Sequence, residues 1–302
     1  MGKVATDVHG VSTRGQHHTL TSCSISMRHA FVPFKGGVIL AADYSQLELR
    51  ILAHLSGDRK LRNILNSGGD VFKTIAAQWK GVDIDNISDT DRQQAKQVCY
   101  GMIYGIGPKA LGEQIGLDEE DAAVFMESFK SKYSGIRKYL QVTVQKCREM
   151  GYVETISGRR RYLPAIRDKN VHTKSHAERQ AVNTTVQGSA ADLVKKAMIN
   201  IDAALWQMYP DTRITHKQKR VSSGSATCCH GSHTQCNKCS LRGAFFVLQL
   251  HDELIYEVNE QDLNQVAALV KYTMESAMKL SVCLPVKLKM GPTWGSIEEI
   301  HI

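Results

Sequence analysis

Two aspartates are the residues of this chain best suited to chemistry. Asp43 closes the apolar run Val38-Ile39-Leu40-Ala41-Ala42, where a carboxylate is costly unless something compensates its charge. Asp252 stands in His251-Asp252-Glu253, a tight turn between the apolar segments 245–250 and 254–258. Taken singly, each reads as an ordinary turn acid. Taken together on sheet elements, they offer hard oxygen ligands of the kind two Mg²⁺ ions require, with Glu253 as an acidic neighbour. Ions held there would activate a hydroxyl and neutralise phosphate oxygens. The two aspartates lie far apart in the sequence, and only the fold can bring them together.

Other side chains recur at helical spacing. Arg92, Lys96, Tyr100 and Tyr104 follow one another at four-residue intervals, and four helical steps of about 100° make one slowly drifting stripe. Two cations near a helix N-terminus suit a polyphosphate, and two tyrosines further along suit stacking on a base. By spacing alone, a solvated cationic face running into a buried aromatic face is the better reading. Arg179, Asn183 and Gln187 form a second four-residue stripe, able to reach groove acceptors or phosphates but also able to face water. Gly158-Arg159-Arg160-Arg161 is a basic cluster beside a glycine turn, fit for phosphate contact or simply exposed. Cys228, Cys236 and Cys239, with Cys229, His230 and His233, could ligate zinc. The adjacent first pair and Ser/Gly-rich surroundings favour a loop without metal.

These residues need elements to hold them. The segment 38–42 predicts a buried strand, and 45–55 a helix opened by a Ser45 cap with Glu48 three residues on. Helices follow over 70–79, over 89–104 with Asp89 or Thr90 as cap, and over 118–133. A long helix spans 175–208 with a bend at Gly188; strands 245–250 and 254–258 form a hairpin, followed by a helix over 261–280 and a strand over 286–290. Without a regular βαβ repeat, the mixture predicts an α+β fold. Residues 1–24 read as a disordered tail or the remnant of an insertion, and 213–242 as a flexible insertion. With 302 residues, 42% hydrophobic, the chain can bury a large core. Its net charge of +8 suits a polyanionic partner. No apolar run is long enough for a membrane span, no secretory signal is visible, and the eight scattered cysteines read as reduced intracellular thiols.

In combination the segments resemble the A-family DNA polymerases. Asp43-Tyr44-Ser45-Gln46-Leu47-Glu48-Leu49-Arg50 is similar to the family's motif A. Arg92-x₃-Lys96-x₃-Tyr100-Gly101-x₂-Tyr104-Gly105 resembles motif B, the helix that closes on an incoming nucleotide, and Gln249-Leu250-His251-Asp252-Glu253 resembles motif C. The runs 177–183, 187–192 and 158–164 match in the same order, and the likeness covers nearly everything from Arg28 to Gly295. The run 92–101 and the long segment before motif C are most like a eukaryotic branch that acts in DNA repair and the joining of broken ends.

The resemblance implies a right-hand polymerase: an antiparallel palm sheet with inserted helical fingers, the palm at 25–56 and 151–302 and the fingers at 57–150. It implies that Asp43 and Asp252, with the Tyr44 carbonyl, hold two Mg²⁺ ions, and that Glu253 supports them. Lys96 would assist catalysis and, with Arg92, grip the triphosphate. Tyr100 would stack on the nucleotide, and Ser45 and Gln46 would lie with Glu48 at the nucleotide pocket, where Glu48 excludes a 2′-hydroxyl. Tyr104, Arg179, Asn183, Gln187 and His251 would hold primer-template DNA. Deoxynucleoside triphosphates and primer-template are thus the expected partners, the nucleus the expected location, and a membrane is not expected. The family's thumb segment is not seen ahead of motif A, so the chain reads as the C-terminal part of a longer protein. The rivals are a nucleic-acid-binding remnant without activity and a zinc-stabilised interaction module.

Overall fold

The computed structural model describes residues 26–210 and 242–302. Its centre is strand β1 (Gly37–Tyr44), flanked on both sides by antiparallel partners, β5 (Glu253–Asn259) and β6 (Val286–Thr293). With β4 (Ala244–Leu250) and β7 (Ser296–Ile300) at the edges, the sheet order is β4-β5-β1-β6-β7. The central position explains why β1 is apolar without alternation. Val38, Leu40, Ala42 and Tyr44 face the main helical core, while Ile39 and Ala41 meet Ile255 and Trp294 on the opposite face. Covered on both faces, every residue from Val38 to Ala42 is buried.

Helices cover one face of this sheet and extend beyond it. In chain order they are α1 (Leu47–Ser56), α2 (Arg59–Asn66), α3 (Val71–Lys80), α4 (Asp89–Tyr104), α5 (Pro108–Ile115), α6 (Glu119–Lys132) and α7 (Ser134–Met150). A small hairpin, β2 (Tyr152–Glu154) and β3 (Arg160–Tyr162), precedes the long α8 (Val171–Met208), and α9 (Leu263–Glu275) lies between β5 and β6. The α+β class expected from the sequence is the one observed.

Several local expectations are corrected. Ser45 does not cap α1; the N-cap is Gln46, in a left-handed conformation (φ 52°) with no side-chain cap bond. The backbone turns so sharply there because Ser45 is held on both sides, its amide donating to the Pro285 carbonyl and its own carbonyl accepting from Arg50. Neither Asp89 nor Thr90 caps α4; Ser88 does, forming a reciprocal capping box with Asp91. The β4–β5 turn is shorter than expected, since Glu253 already pairs within the sheet. Helix α8 starts earlier, at Val171, where Asn170 caps it, and continues helically through Gly188. Gly188 permits a close approach, because a Cβ there would lie 2.7 Å from the Thr155 methyl. The last helix ends earlier than expected, at Glu275. The tail 1–24, the three cysteines Cys228, Cys236 and Cys239, and all of the segment 213–242 except Arg242 lie outside the described residues. Arg242 itself forms an ion pair with the buried Asp262 at 2.5 Å.

Candidate active site

Strand pairing brings the two aspartates together. In the β1–β5 register Asp43 lies opposite Glu253, and the Tyr44 amide donates to the Asp252 carbonyl at 3.3 Å. Asp252 reaches this place because His251 takes a left-handed conformation (φ 56°), which tightens the turn; Gln249 Nε2 donates to the His251 carbonyl at 2.9 Å. The end of β1 is locked by Tyr44, whose buried hydroxyl donates to the Met274 carbonyl at 2.7 Å. The next residues are fixed by Arg50, only 4% exposed. Its guanidinium donates to the carbonyls of Ser45 (2.8 Å), Leu65 (3.0 Å) and Cys283 (3.0 Å).

The electrostatics of this corner are unbalanced. Burial, then the charges of Asp252 and Glu253, push the Asp43 carboxyl up to about 6, against the partial relief of Lys289 and Lys287. Burial likewise raises Asp252. Among the described residues neither aspartate has an ion-pair partner. Half-buried negative charge that nearby lysines offset only in part, with no direct ion pair, is a place for a cation. The oxygen donors available there, two carboxylates and the nearby backbone carbonyls, are those that suit a hard divalent ion. No group of three or more His, Cys, Asp or Glu side chains able to hold a metal occurs among the described residues.

A cleft of about 550 Å³ opens at Asp252, while Asp43, on the neighbouring strand, is not among the residues that line it. The turn contributes His251 and Asp252, α1 contributes Glu48, α8 contributes Gln187, and α4 contributes Lys96, Tyr100 and Tyr104. Sequence spacing favoured a solvated face for the α4 stripe over a site. Its last three members face this cleft. Tyr100 and Tyr104 stack with ring centroids 6.1 Å apart and planes 14° from parallel. The Tyr104 hydroxyl donates to Glu48, and Gln187 also hydrogen-bonds it. Burial first, then the charges of Glu48, Asp252 and Asp43, push the Tyr100 hydroxyl up to about 12. That ring therefore lies within electrostatic reach of both aspartates.

Other sequence-predicted residues stand apart from the cleft wall. Arg92 donates through Nε to Asp70 Oδ2 at 2.5 Å and lies over the Phe72 ring, 5.8 Å from its centroid. Arg179 is exposed, donates to Ser175 Oγ at 3.0 Å, and packs its stem against Gly105 at the end of α4, where a Cβ would come within 2.8 Å. The Asn183 Oδ1 is buried without a hydrogen-bond partner. Ser45 and Gln46 form the β1–α1 turn. The basic turn is tied to protein groups: Arg159 pairs with Asp192 (2.9 Å), Arg160 with Glu154 (2.8 Å), and Arg161 donates to Thr184 (2.8 Å). Three participants received no role from sequence: Gln249 at the cleft, Asp70 beside Arg92, and Arg50 beneath the turn. For Asp70 the signal was its place at the start of an apolar helical run; for Arg50 it was a lone cation among Leu49, Ile51 and Leu52.

The family model for "DNA polymerase family A" matches residues 16–296. The chain belongs to this family. It is 55% identical over 281 residues to DNA polymerase theta of Mus musculus, covering 92% of this chain and 11% of that protein. It is 38% identical to DNA polymerase theta of Drosophila melanogaster, covering 92% of this chain and 12% of that one. To DNA polymerase I of Lactococcus lactis it is 37% identical over 269 residues, 89% of this chain and 27% of the relative. Among solved structures, the POL domain of Pol1 from M. smegmatis, in complex with DNA primer-template and dNTP, matches with a TM-score of 0.75 at 34% identity. That match covers 89% of this chain and 42% of the other. This family A chain thus spans roughly a tenth of the theta relatives and about a quarter of the polymerase I relative. Among the described residues, no helix is long and apolar enough to cross a membrane.

Proposed function

We propose that this chain performs template-directed addition of deoxynucleotides to a primer 3′-hydroxyl, and that the cleft beside Asp43 and Asp252 is where it does so. One observation carries the reading: two carboxylates without ion-pair partners stand together where β1 ends and β5 begins, and one of them, Asp252, lines the same cleft as Lys96, Tyr100 and Tyr104 of α4. The M. smegmatis protein, whose structure includes primer-template and dNTP, supports the same assignment of partners. In this reading the five-stranded sheet, with 25–56 and 151–302, is the palm and 57–150 the fingers.

Each residue then has a task. Asp43, Asp252 and the Tyr44 carbonyl would hold two Mg²⁺ ions, which when bound supply charge neutralisation and a more acidic primer hydroxyl. Glu253, opposite Asp43, adds negative charge to that corner. Lys96 would meet the triphosphate and favour the charge that develops as pyrophosphate departs, assisted by Arg92 from the preceding turn. Tyr100 would stack on the nucleotide base, with Ser45 and Gln46 at the edge of the same pocket. Glu48, fixed by Tyr104, would leave no room for a ribose 2′-hydroxyl. Tyr104, Arg179, Asn183, Gln187 and His251 would hold the primer-template. The similarity to DNA polymerase theta supports a role in DNA repair of the end-joining type, in the nucleus.

Primer extension with Mg²⁺ and a single deoxynucleotide tests this. Asp252→Asn is expected to lower extension by at least about a hundredfold, while binding of primer-template stays within about twofold. Wild-type extension rates in that variant would refute the role of Asp252. A wild-type chain that binds DNA without extending it would favour a non-catalytic nucleic-acid-binding protein.

A further inference from the structure

Arg92 lies one helical turn before Lys96 on α4 yet is turned from the cleft wall toward the start of α3. There Asp70 divides its two oxygens. Oδ1 accepts from the Phe72 amide (3.0 Å) and the Lys73 amide (3.1 Å), capping α3, and Oδ2 accepts from Arg92 Nε (2.5 Å). The two amides fix the carboxylate plane, so the remaining oxygen is held in place before Arg92 arrives. The arginine's position is fixed on a second side by the Phe72 ring, which itself packs on Tyr100 with centroids 6.1 Å apart. Only Nε is engaged: among the described residues, Nη1 and Nη2 of Arg92 make no hydrogen bond or ion pair. A guanidinium presents five donors in a rigid fork, and tethering the inner one leaves the outer four directed together.

From this geometry we infer that Asp70 is a positioning residue for nucleotide binding. It holds Arg92 by Nε so that Nη1 and Nη2 remain free for the phosphates of an incoming deoxynucleoside triphosphate. The inference rests on the reading that α4 receives the triphosphate. A plain surface ion pair would predict no effect on nucleotide affinity, since such pairs are worth little. What distinguishes Asp70 is that the same carboxylate is oriented by backbone amides and stands beside an aromatic ring in contact with the cleft tyrosine.

Asp70→Asn separates the two jobs of the side chain. Asparagine caps helices as well as aspartate does, but it presents an amide in place of the charged oxygen facing Arg92. With the full chain, the readouts are KM and kcat for one dATP incorporation and equilibrium dATP binding to protein on a dideoxy-terminated primer-template. Asp70→Asn is expected to raise KM and weaken dATP binding about fivefold to tenfold, with kcat changed by less than about twofold. Thermal unfolding of the variant should match wild type, because the cap remains. Arg92→Ala should weaken dATP binding at least as much, and adding Asp70→Asn to it should have no further effect. Unchanged or tighter dATP binding in Asp70→Asn, while Arg92→Ala weakens it, overturns the inference and leaves the polymerase reading standing. An additive double variant also overturns it. Arg92→Ala without any effect on dATP binding would remove the assigned role of Arg92 and the inference with it.

Discussion

Asp43 is a residue that the fold holds at an electrostatic cost. Its carboxyl is pushed up to about 6 by burial and by two neighbouring acids, against an ordinary value of 3.8. In metal-free protein the folded state therefore prefers the protonated form. That preference favours folding at low pH, fades as pH rises through about 6, and leaves a constant burden above that. Asp43→Asn removes the burden. In the presence of chelator at pH 7.5 the variant is expected to be more stable than wild type by about 1–2 kcal/mol, a figure reduced for solvent screening of a half-exposed group. The difference should vanish near pH 4. Urea denaturation at the two pH values checks this, and equal stability at pH 7.5 would show that the site is electrostatically neutral. At this scale the sequence was most informative: an acid ending an apolar strand and an acid in a hairpin turn were both readable, as was the α4 stripe. The direction of Arg92 was not, because it depends on Asp70, which sequence presents only as the start of a helix.

At the scale of elements, the site depends on how sharply the chain turns from β1 into α1. Arg50 sets that turn by donating to three carbonyls from three different segments, at Ser45, Leu65 and Cys283. Replacing it with methionine keeps much of the volume but leaves buried acceptors unmet, each worth about 1–3 kcal/mol. Arg50→Met is accordingly expected to lose about 3–5 kcal/mol of stability and to loosen Asp43 and Glu48 together. Denaturant unfolding measures the first, and a loss of primer extension larger than the loss of folded protein measures the second. A loss under about 1 kcal/mol would mean that the turn does not need Arg50. Most of the long elements were legible from sequence, the 17-residue α7 being an exception, and their ends were not. Ser45 looked like a helix cap, but the first helical bond closes on the Gln46 carbonyl, which accepts from the Arg50 amide, so the helix starts one residue later. Helices α2, α5 and α7, the small hairpin, and the edge strand β7 were not read. The hairpin strands have three residues each, β7 is short and polar, and α2 and α5 have eight residues each. Pairing with neighbours, more than local pattern, holds such pieces in place.

At the scale of the whole molecule, the five-stranded sheet meets a set of helices, and the candidate site lies at their junction. The α+β class and the family were legible because three motifs appear in order along the chain. The convergence of Asp43 and Asp252 was not, since it arises from β1 and β5 pairing across more of the chain than any local signal spans. The same holds for Gln187, which enters the cleft only because α8 crosses near α4 and the sheet. The proposed reaction requires the two aspartates to act as one unit, and single-nucleotide incorporation by wild type, Asp43→Asn, Asp252→Asn and the double variant tests this most directly. If they hold the same ions, each single variant should fall nearly as far as the double, a strongly non-additive result. If either single variant keeps wild-type rates, or the two losses simply multiply, the carboxylates do not share a site.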